Sequence, residues 1–114
     1  LKPNHNRWYI KNNALHEIKA HKQAIGKTYM PLTFPGHSLN LNRGDIIYLL
    51  TDGFANQFGG SKGKKYKRKG LEKLLLEIQN KPIKIQKQIL EETFEAWKDN
   101  LEQVDDVTII GIRL

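Results

Sequence analysis

The sequence predicts an α+β fold in which antiparallel strands precede two helices and a last strand closes the chain. Three patterns carry that expectation. Residues 7–11 and 14–18 are short strand-like runs around Asn12-Asn13, a dipeptide that accepts the positive φ angles of a tight hairpin turn. Ile46-Ile47-Tyr48-Leu49-Leu50 is a continuous apolar run of strand length, and Leu71, Leu74, Leu75 and Ile78 recur at the spacing of one helix face. No repeat or low-complexity linker divides the 114 residues, so 1–114 reads as one structural unit.

After the hairpin, residues 19–35 read as a loop punctuated by Gly26, Pro31 and Pro35. Residues 38–41 alternate like a half-buried strand, and Asn42-Arg43-Gly44 turns the chain into a strand over 45–51. The unbroken apolar character of that strand predicts burial on both faces and a place at the centre of a sheet. A glycine-rich, basic loop follows. The first helix is predicted to open at Gly70 and to stop near Asn80-Lys81-Pro82, because proline cannot continue it. The second is predicted over 83–100, with Ile85, Ile89, Leu90, Phe94, Trp97 and Leu101 turned inward and Lys84, Lys87, Glu91, Glu92, Glu95 and Lys98 outward. Residues 105–114 form the terminal strand.

Nineteen Lys and Arg against twelve Asp and Glu give a formal charge of +7, and much of the excess lies in residues 61–69, SKGKKYKRK. Phosphate backbones reward such clusters through counterion release, and Tyr66, Phe54 and Phe58 are close enough in sequence to stack bases. No helix-turn-helix, zinc-finger or RNA-binding signature accompanies the cluster. A solvated basic loop is therefore the better account, with no nucleic-acid partner expected. The absence of cysteine excludes disulfide and thiolate-zinc chemistry and suits a reducing, cytoplasmic compartment. No apolar run is long enough to span a bilayer, although a parent protein anchored upstream stays compatible with the sequence.

Other chemistries find little support. His5, His16, His21 and His37 show no i, i+4 pairing for zinc. Ser38 and Ser61 lack a recognisable base and a strand-to-helix elbow, and Gly59-Gly60-Ser61-Lys62-Gly63 lacks the phosphate-loop spacing. Two acidic motifs remain. Thr51-Asp52-Gly53 directly follows the apolar strand, and Asp105-Asp106 directly precedes Val107-Thr108-Ile109-Ile110-Gly111-Ile112. Each puts a carboxylate at the end of a strand, so two distant segments can aim acids at one point, which is how hard oxygen-preferring cations such as Mg²⁺ and Mn²⁺ are held. The competing account makes Asp52-Gly53 a turn and Asp105-Asp106 a solvated strand start.

The order of these motifs resembles the C-terminal half of the PPM-type (type 2C) metal-dependent serine/threonine protein phosphatases, in their bacterial SpoIIE-like branch. The matching stretches are Leu41-Asn42-Arg43-Gly44-Asp45, Thr51-Asp52-Gly53, Gln57-Phe58-Gly59-Gly60 with Lys62-Gly63-Lys64-Lys65, Phe94-Glu95-Ala96-Trp97, and Gln103-Val104-Asp105-Asp106-Val107-Thr108. The family's first metal-binding segment, an aspartate followed closely by glycine-histidine-glycine, has no counterpart; Gly36-His37-Ser38 lacks both the aspartate and the second glycine. With Leu1 in place of an initiator methionine, the chain reads as a fragment of a longer protein.

The resemblance implies part of an α-β-β-α layered sandwich without the N-terminal portion of the domain. One face of the sheet would then be uncovered, and self-association through it is expected. It also implies hydrolysis of phosphoserine or phosphothreonine at a binuclear Mn²⁺ or Mg²⁺ centre. By position Asp52 and Asp105 match metal ligands, and Gly53, Asn56 and Asp106 match neighbours that orient the site. Asn56 stands where some relatives carry an acid that helps hold a third metal, so the charge available to a dication is lower here. The family further implies a phosphorylated regulatory protein as substrate and an output role in bacterial signalling downstream of a sensor domain. With only two candidate ligands, the fragment itself is expected to bind metal weakly or not at all and to be inactive. A non-catalytic interaction module with the same fold is the alternative from a different class.

Overall fold

A computed structural model describes residues 6–18 and 40–114. The described elements are β1 (Asn6–Lys11), β2 (Ala14–Glu17), β3 (Ile46–Leu50), α1 (Gly53–Asn56), β4 (Phe58–Gly59), β5 (Lys64–Lys65), α2 (Arg68–Ile78), α3 (Ile83–Lys98) and β6 (Ile109–Arg113). Four strands form one antiparallel sheet in the order β2-β1-β3-β6, and β4 and β5 form a separate two-stranded hairpin. The architecture is the α+β arrangement the sequence predicts.

The β1–β2 turn follows from its two asparagines, Asn12 at φ 53° and Asn13 at φ 61°, the backbone that a two-residue hairpin of matching twist requires. Period-two alternation then fixes the buried face. Trp8 pairs with Tyr48 and Ile10 with Ile46, and all four are buried together with Leu50. The stripe of α2 covers them with Leu71, Leu75 and Ile78, and α3 adds Leu90 and Phe94. Gly111 lies opposite Tyr48 in the register, and its missing side chain leaves room for the tyrosine ring.

The corner between α2 and α3 cannot satisfy its own carbonyls, because Pro82 interrupts the helical ladder. Side chains from two other elements do so. Arg113 on β6 donates to the carbonyls of Gln79 at 2.8 Å and Lys81 at 2.7 Å. Gln86, a buried polar residue on α3, donates from Nε2 to Lys81 O at 2.9 Å and accepts the Tyr48 hydroxyl at Oε1. Burial pushes the Tyr48 phenol up to about 12, partly opposed by the charge of Arg113. A cleft of about 570 Å³ between α3 and the β3–β6 pair is lined by residues including Tyr48, Leu90, Phe94 and Thr108.

Several expectations need correction. The strand over 45–51 is buried on one face only: Ile46, Tyr48 and Leu50 face the helices, whereas Leu49 is 39% exposed. On the same open face Leu49 pairs with Ile110 and Ile47 with Ile112, and the two β6 isoleucines are about half exposed. The helices lie on one side of the sheet, and nothing among the described residues covers the other. Asn40 and Leu41 are not in a strand, and Ser38 and Leu39 lie outside the described residues, as does the loop expected over 19–35. The basic stretch is not all loop, since it contains the β4–β5 hairpin, and α2 begins at Arg68 rather than Gly70. On α3, Ile85 is exposed and Gln86 takes the inward position beside Leu90, because the Tyr48 hydroxyl needs a polar partner there; Leu101 falls beyond the helix and is exposed. The last strand is confined to β6, which leaves 105–108 as an irregular lead-in. Among the described residues, no helix is long and apolar enough to cross a membrane.

Candidate metal centre

Thr51-Asp52-Gly53 leaves the end of β3 and enters the short helix α1 with Asp52 at its N-cap. Asp52 makes no side-chain cap bond, so its carboxylate is not spent on the helix; instead Oδ1 accepts from the Asn6 side-chain amide at the start of β1. Its backbone oxygen accepts from Asn56 N at 2.9 Å, which closes the turn and brings the partly buried Asn56 back toward Asp52.

The second acidic motif is brought to the first by an extension of the sheet. Beyond the last residue of β3, Thr51 N donates to Thr108 O at 3.0 Å. The Thr51 hydroxyl donates to Asp106 O at 3.0 Å and accepts from Thr108 N at 3.1 Å. One side chain thereby carries the pairing past the point where the strands diverge. Gly53 then packs directly on the Asp106 backbone, where an ideal Cβ would lie 2.1 Å from Asp106 O and 3.0 Å from a Val107 methyl. Only glycine permits that approach without displacing backbone. Asp105 is exposed, with Oδ1 accepting from Asp106 N at 2.7 Å and its carbonyl accepting from the Gln103 amide at 3.0 Å. Asp106 contributes its carbonyl to the Thr51 contact and leaves an exposed carboxylate.

Sequence reasoning passed over Gln57 as a site residue. It is fully buried, and its Nε2 donates to Glu102 O at 2.8 Å and Phe58 O at 3.0 Å while Oε1 accepts from Val104 N. Its carbonyl accepts from Trp97 Nε1 at 2.8 Å and from Tyr66 N at 3.0 Å. One buried residue thus ties the end of α1 to α3, to the root of the basic hairpin and to the loop that delivers Asp105. Gly59 and Gly60 complete the junction by lying flat on Trp97, with a Cβ on Gly59 placed 2.0 Å from Trp97 O. The signal available in sequence was a polar residue between Asn56 and Phe58 inside an otherwise loop-like stretch, with nothing to mark it as buried.

The side chains carried by the two segments are carboxylates and an amide, oxygen donors of the kind a hard dication takes. The number of donors falls short. Among the described residues, no group of three or more His, Asp or Glu gathers closely enough to hold a metal ion.

The comparisons with known proteins agree with this fold. The chain resembles the structure titled "SiaA-PP2C domain of Pseudomonas aeruginosa" with a TM-score of 0.77 and 25% identity, over 97% of this chain and 43% of that one. The chain thus spans less than half the length of that solved relative. No curated protein matches. Residues 5–114 match the family described as Stage II sporulation protein E (SpoIIE), and with the strand order, the paired acidic motifs and the fold likeness in place, the chain belongs to the SpoIIE family and carries part of a PP2C-like phosphatase domain.

Proposed function

We propose that this chain supplies the Asp52 and Asp105 side of a Mn²⁺- or Mg²⁺-dependent protein serine/threonine phosphatase acting on a phosphorylated regulatory protein in bacterial signal transduction. The observation that supports it is the pinning of two carboxylate-bearing segments, 53 residues apart in sequence, by the Thr51–Asp106–Thr108 bonds and the Gly53–Asp106 contact. A structural turn would use the N-cap carboxylate of Asp52 on the helix, which it does not cap.

In this reading Asp52 and Asp105 hold the cation, while Thr51 and Gly53 set the spacing between their backbones. Asn56 borders the site as a neutral oxygen donor, which keeps the local negative charge low and weakens any further cation site. Asp106 acts through its carbonyl, and Gln57 fixes the chain that leads into Asp105. A dication bound there supplies charge neutralisation on the phosphoryl oxygens and lowers the pKa of the attacking water. No side chain of the site is placed as a nucleophile, so no covalent phosphoenzyme is required. The remaining ligands come from a segment outside this chain, in keeping with the 43% of the solved relative that the chain spans.

Two carboxylates bind Mn²⁺ weakly, so the 114-residue chain should hydrolyse para-nitrophenyl phosphate negligibly even with millimolar Mn²⁺, whereas the longer protein that contains it should turn over. Robust, Mn²⁺-dependent turnover by the 114 residues alone would overturn the assignment of the missing ligands. A second reading, a phosphatase-like module that works by contact, is favoured by Asn56 and by the absence of a three-acid group among the described residues. The sequence upstream of Leu1 separates the two: an aspartate and an aspartate-glycine-histidine-glycine segment support the enzyme, and loss of those acids supports the contact module.

A further inference from the structure

Among the described residues, the strongest uncompensated charge is the β4–β5 hairpin and its exit. From Gly53 to Leu71 the chain carries six cations, Lys62, Lys64, Lys65, Lys67, Arg68 and Lys69, and no acid. Arg68 is neutralised, bonded to Glu17 at 2.6 Å and Glu72 at 3.1 Å and stacked over the Trp8 ring. The five lysines are exposed and make no ion pair among the described residues. They are displayed in order rather than left loose. Gly60 and Gly63 take positive φ and are joined by a 3.3 Å hydrogen bond that closes the tip, and Lys65 lies over the exposed ring of Phe58.

The root of the hairpin locates it. Lys67 N donates to Ala55 O at 2.8 Å and Tyr66 N to Gln57 O at 3.0 Å, so the exit from β5 is tied to the helical turn that begins at Asp52. Holding several like charges together without partners costs stability unless a ligand of opposite charge shares the surface. Resting on the phosphatase reading, we propose that this hairpin is a docking surface for an acidic stretch of the protein substrate, lying beside the residue whose phosphate enters the site. β4 is extended over Phe58–Gly59 before the turn at 60–63, so the tip stands on the order of 10 Å from Gln57, about three residues of an extended peptide. The acidic residues should therefore sit some three to five positions from the phosphoserine. Protein rather than nucleic acid is the occupant, because among the described residues only Phe58 offers an exposed aromatic ring for stacking: Tyr66 is partly buried, packed edge-on against Phe54 and Trp97.

The test is fluorescence anisotropy on the 114-residue chain in EDTA, with labelled phosphoserine peptides that carry either four glutamates or four glutamines at those positions. EDTA removes catalysis, so docking is read independently of whether the metal reading holds. At low salt the glutamate peptide should bind about tenfold more tightly, the contrast should shrink with added salt, and K62Q/K64Q/K65Q/K67Q should abolish it. K73Q/K81Q/K84Q/K87Q removes the same charge elsewhere and should leave the contrast intact. Equal binding of the two peptides, or equal loss in both quadruple variants, would overturn the proposal. So would a single-stranded oligonucleotide that binds more tightly than the glutamate peptide at the same salt and is released by the hairpin substitutions, which would make nucleic acid the partner.

Discussion

The carbonyl oxygen of Asp106 occupies the space into which any side chain on residue 53 would grow, 2.1 Å from where the Cβ would stand. The spacing between the two acidic segments is thus set by backbone contact, and that contact depends on a missing methyl group. Gly53→Ala should push the segments apart and destabilise the fold by about 1–3 kcal/mol, read as a lowered midpoint in urea. In the longer protein the same change should raise the Mn²⁺ concentration needed for half-maximal activity. An alanine variant of unchanged stability and metal dependence would show that the approach is not required.

Gln57 acts on the other side of the same junction. Gln57→Leu keeps the approximate volume but orphans Glu102 O, Phe58 O and Val104 N in a buried setting, a loss of about 1–3 kcal/mol. Gln57→Glu should be worse, because a carboxylate cannot donate to the two carbonyls and would be buried against them. Equal stability of the wild type and both variants in denaturant titrations would refute the junction.

Tyr48 gives the fold an alkaline limb. Its phenol is held neutral in the folded state, with the ionisation pushed up to about 12 by burial, against about 10 in an unfolded chain. Between those values the unfolded chain has released the proton and the folded one keeps it, so stability is fully present below pH 10 and declines as pH rises toward 12. Tyr48→Phe should lower stability at neutral pH by stranding Gln86 Oε1, and should flatten the decline above pH 10. A pH profile of unfolding with the same alkaline slope in both proteins would assign that slope elsewhere.

The open sheet face has a measurable consequence for association. Leu49, Ile110 and Ile112 form an exposed apolar row on paired strands, a surface that folded monomers seldom leave bare. Sedimentation velocity on the 114-residue chain should show self-association that grows with concentration. Leu49→Lys with Ile110→Glu, an opposite-charge pair across the strands, should shift it to monomer with little change in stability. A wild-type chain that stays monomeric at high micromolar concentration would remove association from the account.

Local rules made much of this structure legible. Asn12-Asn13 announced its turn because few residues tolerate two successive positive φ angles, and the α2 stripe announced its face because each of its members had to meet the same sheet. The β4–β5 hairpin was not legible. Its pairing depends on Gly59 and Gly60 docking on Trp97, a contact made across nearly 40 residues, while glycine and lysine carry no strand preference of their own. Gln57 and Gln86 were hidden for a related reason: a buried amide looks like a surface amide until its distant partners, Glu102 or Tyr48, are in place. The apolar run of β3 overstated its cover, since hydrophobicity records what a face needs to bury and not whether these residues supply it. At the site, the order of the motifs suggested that the two segments meet, and the Thr51 hydroxyl and Gly53 hold their backbones together.

The assignment of Asp52 and Asp105 as metal ligands is tested most directly in the longer protein, by measuring Mn²⁺-dependent phosphate release from a phosphoserine peptide in Asp52→Ala, Asp105→Ala and Asp106→Asn. Loss of a ligand removes both charge and geometry from the shared centre, whereas Asp106 works through a backbone carbonyl that asparagine retains. Asp52→Ala and Asp105→Ala should each lower the rate by about a hundredfold or more, and Asp106→Asn should lose no more than about tenfold. Wild-type turnover in either alanine variant, or a loss in Asp106→Asn as deep as that in Asp105→Ala, would contradict the assignment.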